Sequence, residues 1–108
     1  MPVSRELIAA LPKSDLHVHL DGSLRAGTLI ELARAAGVSL PSYTVEGLNE
    51  LVFKPHYRNL AEYLEGFGYT VAAMRDCEAI ERVAFELGED AIGQARACGG
   101  WCGRRLRV

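Results

Sequence analysis

At 108 residues, 49% of them hydrophobic and 24% charged, the chain has the size and composition of one ordinary globular domain. A net charge of −2 argues against nucleic acid as the main partner. No apolar run approaches the ~18 residues of a membrane span, and the opening MPVSRELIAALPK lacks the apolar core and cleavage site of a secretory signal, so the cytoplasm is the expected compartment.

Taken in chain order, RELIAAL (residues 5–11) reads as a short helix ended by Pro12. SDLHVHL follows with apolar and polar residues in alternation. Leu16, Val18 and Leu20 face one way and Asp15, His17 and His19 the other, the period of a short strand. Asp21-Gly22 is a turn pair. Ser23 can cap the next helix, in which Leu29, Leu32, Ala33 and Ala36 share a face and Gly37 is a C-terminal stop. Thr44 can cap a short helix carrying Leu48, Leu51 and Val52. Asn59 with Glu62 resembles a capping box opening a helix with Leu60, Tyr63, Leu64, Phe67, Val71 and Met74 on one side. Gly66 and Gly68 predict a bend there. Asp76 can cap the last helix, with Ile80, Val83, Ala84, Leu87 and Ala91 as its buried stripe.

One strand among helices is an incomplete sheet, because its N–H and C=O groups lack partners on both sides. Cys77, Cys98 and Cys102 are an odd number without a signal segment, which reads as reduced thiols. His56 sits in a loop without a ligand-spaced partner and reads as a surface residue. All fourteen acids precede residue 91, so residues 1–93 carry a net −6, while Arg96, Arg104, Arg105 and Arg107 give the tail +4.

The chemistry lies in His17-Val18-His19. Residues two apart in a strand project from one face about 6.6 Å apart, and two converging imidazoles suit zinc or another borderline divalent ion. Apolar residues on the other face would then pack on a helical layer, as in a barrel strand whose inner face lines a site. Two ligands do not complete a site, and an exposed strand bearing incidental histidines is the competing reading. Phosphate-binding Gly-rich loops, a Gly-x-Ser-x-Gly elbow and the cytidine-type zinc deaminase signature are absent.

LPKSDLHVHLDGSL (residues 11–24) resembles the opening of the adenosine deaminase family of metal-dependent amidohydrolases. LAEYLEGFGYTVAAM (60–74) resembles the helix covering that family's substrate pocket, and AIERVAFELGEDA (79–91) the helix before its second barrel strand. The resemblance implies an α/β fold: the N-terminal fragment of a (β/α)8 TIM-type barrel, mostly helical, with the first barrel strand. It implies one Zn2+ held in part by His17 and His19, substrate contacts from His19 and Asp21, and a hydrophobic lid of Leu60, Tyr63, Leu64 and Phe67. The implied reaction converts adenosine to inosine and ammonia by zinc-activated water, with a purine nucleoside as the partner and neither nucleic acid nor membrane. Adenine or a modified nucleoside is the other substrate reading.

The family's acid Glu, further His, third His ligand and metal-binding Asp have no counterpart here, so no catalytic residue is assigned in this chain. Residues 1–91 are the expected barrel portion. Residues 92–108, GQARACGGWCGRRLRV from Gly93, form an atypical tail of the kind a reading-frame slip or truncation would leave; an authentic short protein with an unusual tail is the other reading. A fragment of this kind is expected to be inactive alone. A small metal-binding module or a mostly helical partner-binding domain are the alternative functions.

Overall fold

The computed structural model describes residues 2–13 and 17–96. Five helices follow in order: α1 (Arg5–Ala10), α2 (Ala26–Ala36), α3 (Val45–Leu51), α4 (Leu60–Ala73) and α5 (Cys77–Arg96), with a single 3-10 turn, Leu20–Gly22, ahead of α2. Among the described residues no helix is long and apolar enough to cross a membrane.

The helix ends follow local chemistry. Ser4 caps α1, its Oγ accepting from Leu7 N–H at 3.1 Å. Gly37 closes α2 at φ 70°, the left-handed region that glycine enters without a Cβ penalty. The Val38 N–H then donates to the Ala33 carbonyl at 2.8 Å and that of Gly37 to Arg34 at 3.4 Å, the paired bonds of a Schellman close. Thr44 Oγ1 accepts from Gly47 N–H at 3.1 Å, and Asp76 Oδ1 from Ala79 N–H at 2.8 Å. Asn59 Oδ1 accepts from Glu62 N–H at 2.9 Å, but the return arm of this capping box is displaced by one residue: Glu62 Oε2 accepts from Arg58 N–H at 2.6 Å. α4 runs through Gly66 and Gly68 without interruption.

The expected cap at Ser23 is not made. Its hydroxyl donates to the His19 carbonyl at 2.7 Å, and Arg25 takes the N-cap position with no side-chain capping bond. The expected strand is also not formed among the described residues. Ser14, Asp15 and Leu16 lie outside them, His17 to His19 have no ladder partner, and Leu20 opens the 3-10 turn. A ladder needs a second backbone alongside, and these helices offer none. Of the α/β expectation, the helical part stands.

The core joins Leu24, Leu29, Ile30, Ala33, Leu40, Leu48, Val52, Ala73 and Val83. Leu29 and Leu48 are fully buried, each contributing roughly 1.5–3 kcal/mol of transfer free energy. α2 lies against α4 and α3, so the core sits between these three helices with Val83 of α5 closing it. α1 contributes no buried residue.

Two expected stripes meet this core only in part. On α4 the buried positions are Thr70 and Ala73, whereas Leu60, Tyr63, Leu64 and Val71 are exposed and Phe67 and Met74 half-buried. On α5 Ala79 and Val83 are buried and Leu87 half-buried, while Ile80, Ala84 and Ala91 are exposed. Leu51 of α3 is exposed as well. The large side chains of α4 find no second layer among the described residues, so the helix meets α2 through its small-residue side. Cys77 is a free, exposed thiol and His56 is exposed; Cys98 and Cys102 lie outside the described residues.

Candidate functional site

The segment from His17 to Ser23 folds onto itself around the 3-10 turn Leu20–Gly22. Gly22 N–H donates to the His19 carbonyl at 3.2 Å, and Ser23 N–H to that of Leu20 at 3.1 Å. The sequence alternation keeps His17 and His19 on one side: their imidazoles stack with centroids 4.8 Å apart and planes 11° from parallel. Val18, expected on a packed face, is instead 47% exposed, because no helical layer reaches it. Asp21 follows, with its Oδ1 3.9 Å from His19 Nδ1. The 3-10 turn brings this carboxylate back alongside the histidine.

α4 supplies the opposite wall. His17, His19 and Asp21 share a groove of about 650 Å³ with Tyr63, Leu64 and Phe67. Leu60, one turn earlier, stands apart at 69% exposure and lines no part of it. Behind the groove lies a smaller chamber of about 60 Å³. Asp21, Gly22, Tyr63 and Phe67 form the wall common to both spaces. Tyr57, Phe53 and Thr70 line the far side of the chamber.

Three aromatic rings make a ladder along this wall. Tyr57 meets Tyr63 edge-to-face at 5.1 Å, and Tyr63 meets Phe67 in the same way at 5.4 Å, geometries that the ring quadrupole favours. Tyr57 is fixed from behind, its hydroxyl donating to the Val52 carbonyl at 2.8 Å and accepting from Lys54 N–H at 3.0 Å. At the other end Phe67 rests on the backbone of Gly22, where a Cβ would lie 3.3 Å from its Cε1. Gly22 thus serves close approach. Sequence reading missed Tyr57 and Phe53, which sit in a loop where no periodicity marks a buried face.

Charges surround this wall and hold the elements that build it. Glu62 at the start of α4 accepts from Lys54 Nζ at 2.7 Å, and from the backbone and side chain of Arg58. These bonds, that from Lys54 foremost, hold its carboxyl down at about 2. On α5, Asp90 is held below the usual carboxylate range by the hydrogen bond from Arg25. Burial pushes Glu86 up, but hydrogen bonds from Thr28 and Arg82 and the charges of Arg82 and Arg25 outweigh it, and the net direction is down.

The donors in the groove suit a borderline divalent cation. Two imidazoles on one side are half of a tetrahedral ligand set, with Asp21 next to them. Among the described residues no group of three or more His, Cys, Asp or Glu side chains gathers as a metal cluster, so the remaining donors would come from elsewhere.

The family model described as adenosine deaminase matches residues 12–97, and the chain belongs to that family. The matched region takes in all five residues from His17 to Asp21 and the whole of α4 and α5. The chain is similar to the adenosine deaminase of Clostridium perfringens, with 51% identity over 82 residues, 75% of this chain and 25% of the relative. It is 49% identical to the adenosine deaminase of Shewanella halifaxensis over 82 residues, again 75% and 25%. A probable adenosine deaminase of Dictyostelium discoideum is 42% identical over 91 residues, 83% of this chain and 12% of the relative. The chain therefore spans about a quarter or less of the length of these relatives. No solved structure matches it significantly.

Proposed function

We propose that residues 1–91 are the opening portion of a purine nucleoside deaminase, built as the start of a (β/α)8 barrel, and that the groove between the His17–Ser23 segment and α4 is its share of the active site. His17 and His19 are the proposed metal ligands, His19 and Asp21 the proposed nucleoside contacts, and Leu60, Tyr63, Leu64 and Phe67 the proposed lid. The observation that carries this reading is the meeting of the stacked His17–His19 pair and Asp21 with Tyr63 and Phe67 across one groove. Family membership supports it.

A zinc ion held there supplies a bound water acidified to a pKa of about 7. The chain's own residues do the rest of its part. Asp21, 31% exposed, can accept a hydrogen bond from a sugar hydroxyl. Tyr63, Leu64 and Phe67 can cover a purine ring and exclude water from the face opposite the histidines. The net reaction, adenosine plus water to inosine plus ammonia, also needs a proton donor at the ring nitrogen. No Glu lines the groove among the described residues, so the 108-residue chain alone is proposed to be catalytically insufficient. The tail reading for residues 92–108 stands as part of the same proposal; residues 97–108 lie outside the described residues.

Zinc titration by calorimetry tests the ligand assignment. The chain should take up zinc weakly, as two protein ligands allow, and a double variant His17→Ala, His19→Ala should take up none at that site. Equal uptake by the double variant would move the ligands to His56 or the cysteines. Zinc-loaded chain given adenosine should show no loss of substrate absorbance above a buffer blank. Sustained turnover that disappears in His17→Ala would overturn the claim of insufficiency.

A further inference from the structure

We propose that Arg25 is a positioning residue: its guanidinium ties the His17–Ser23 turn to α5 in the orientation that lets His17 and His19 share one ligand. This rests on the reading of those histidines as metal ligands.

The turn is a small closed unit. The His19 carbonyl accepts from both Gly22 N–H and the Ser23 hydroxyl, and the Leu20 carbonyl from Ser23 N–H. No ladder holds it among the described residues; it packs on α4 and α5, and its direction is further set where it leaves, at Leu24 and Arg25. Leu24 is buried in the core, but apolar contact is non-directional. Arg25 adds direction. Its Nη2 donates to Asp90 Oδ1 at 2.7 Å, and its Nε sits 3.2 Å from each Asp90 oxygen. The same Nη2 reaches Glu89 Oε2 at 3.2 Å and the Glu86 carbonyl at 3.4 Å. A planar guanidinium across a carboxylate fixes both distance and orientation.

The tie continues along both helices. Thr28 Oγ1, one turn on from Arg25, donates to Glu86 Oε2 at 2.6 Å. Arg82, one turn before Glu86, bonds Glu86 at 3.1 Å and Glu31 at 2.7 Å. Successive turns of α5 (82, 86, 90) therefore engage successive turns of α2 (31, 28, 25), and α5 also packs on the 3-10 turn itself. The Arg25 side chain is 40% exposed, and ion pairs that wet contribute little to stability. Removing it should therefore disturb the direction of the turn more than the stability of the fold.

The test uses the 108-residue chain and zinc chloride. In Arg25→Met the zinc affinity should fall on the order of tenfold, the scale of losing a residue that orients a ligand. Asp90→Ala, at the other end of the tie, should lose as much, and the double variant should lose no more than either single one, as coupled partners do. Arg25→Lys keeps the charge without the planar fork and should also fall. Melting temperatures should move little. A metal-free readout accompanies these: the nuclear Overhauser signal between the His17 and His19 rings, present in the parent, should weaken in Arg25→Met and Asp90→Ala. An unchanged ring-to-ring signal overturns the positioning role, whatever the zinc result. A signal that weakens in the variants while the parent binds no zinc upholds the positioning and sinks the ligand reading instead.

Discussion

Helices α2 and α4 both carry apolar residues at helical spacing, yet the two stripes end in opposite surroundings. On α2, Leu29 and Ala33 are wholly buried, with Ile30 beside them. On α4, Leu60, Tyr63, Leu64 and Val71 stand between 44% and 69% exposed, and the helix packs through Thr70 and Ala73 instead. Periodicity states that a stripe wants cover; it does not state what covers it. α2 is covered by α3 and α4 of the same chain. On α4, Tyr63, Leu64 and Phe67 line the groove that holds His17 and His19 in place of joining the core.

The sharpest way to break this contrast is to truncate one leucine on each helix. Leu29→Ala should cost roughly 2–5 kcal/mol, transfer plus cavity, because its site is closed on all sides. Leu64→Ala should stay within about 0.5 kcal/mol, as exposed substitutions do. Urea unfolding followed by circular dichroism reads both. Equal costs would mean that the outer stripe of α4 belongs to the core after all.

Acid should act next on the charged anchors. α2 is seated by apolar contact and by bonds to Glu86 and Asp90 of α5, and the first turn of α4 is anchored by Glu62 to Lys54 and Arg58. The Glu62 carboxyl lies at about 2 in the folded chain, below its ordinary 4.5. Between these values the unfolded chain binds a proton that the folded chain does not, so the stabilisation is full above pH 4.5 and is lost as pH falls towards 2. Asp90 and Glu86, also lowered, act in the same direction. Glu62→Gln should flatten this acid limb in a series of urea midpoints. A limb of unchanged slope would take Glu62 out of the anchor.

What was legible in the sequence was local. Thr44, Asn59, Asp76 and Gly37 each act on backbone within a few residues, and each does so where the sequence placed it. His17, His19 and Asp21 were legible for the same reason, as donors brought together by a period of two and a tight turn. Ser23 was misread because two backbone groups compete for one hydroxyl, and the His19 carbonyl takes it. The strand is not formed among the described residues because its partners are not among these helices. The Arg25–Asp90 tie spans 65 residues, and no spacing within either helix announces a partner so remote. Leu60, grouped with the lid through the family resemblance, does not line the groove.

The smallest expected effect concerns Gly22, where the turn and α4 touch. Its φ is not in the positive range, where among the described glycines only Gly37 lies, so alanine can adopt its backbone. Replacing glycine there should gain about 0.4–1 kcal/mol by restricting the unfolded chain. Against this, the new Cβ would meet Phe67 Cε1 at 3.3 Å and Cζ at 3.5 Å, tighter than ordinary contact. Phe67 is half-buried on the groove wall, so its ring can retreat by a few tenths of an ångström into open space. The two terms nearly cancel, and Gly22→Ala should change stability by no more than about 0.5 kcal/mol. Gly68→Ala is the control. Nothing lies within 4 Å of its Cβ position, and a helical Gly→Ala change should stabilise by about 0.5–1 kcal/mol. What separates them is the ring: in Gly22→Ala the proton resonances of Phe67, and of Tyr63 packed on its edge, should shift, whereas in Gly68→Ala they should hold still. Phe67 resonances that stay fixed in Gly22→Ala would show that the turn and the helix do not touch there, and the groove would lose the joint between its two walls.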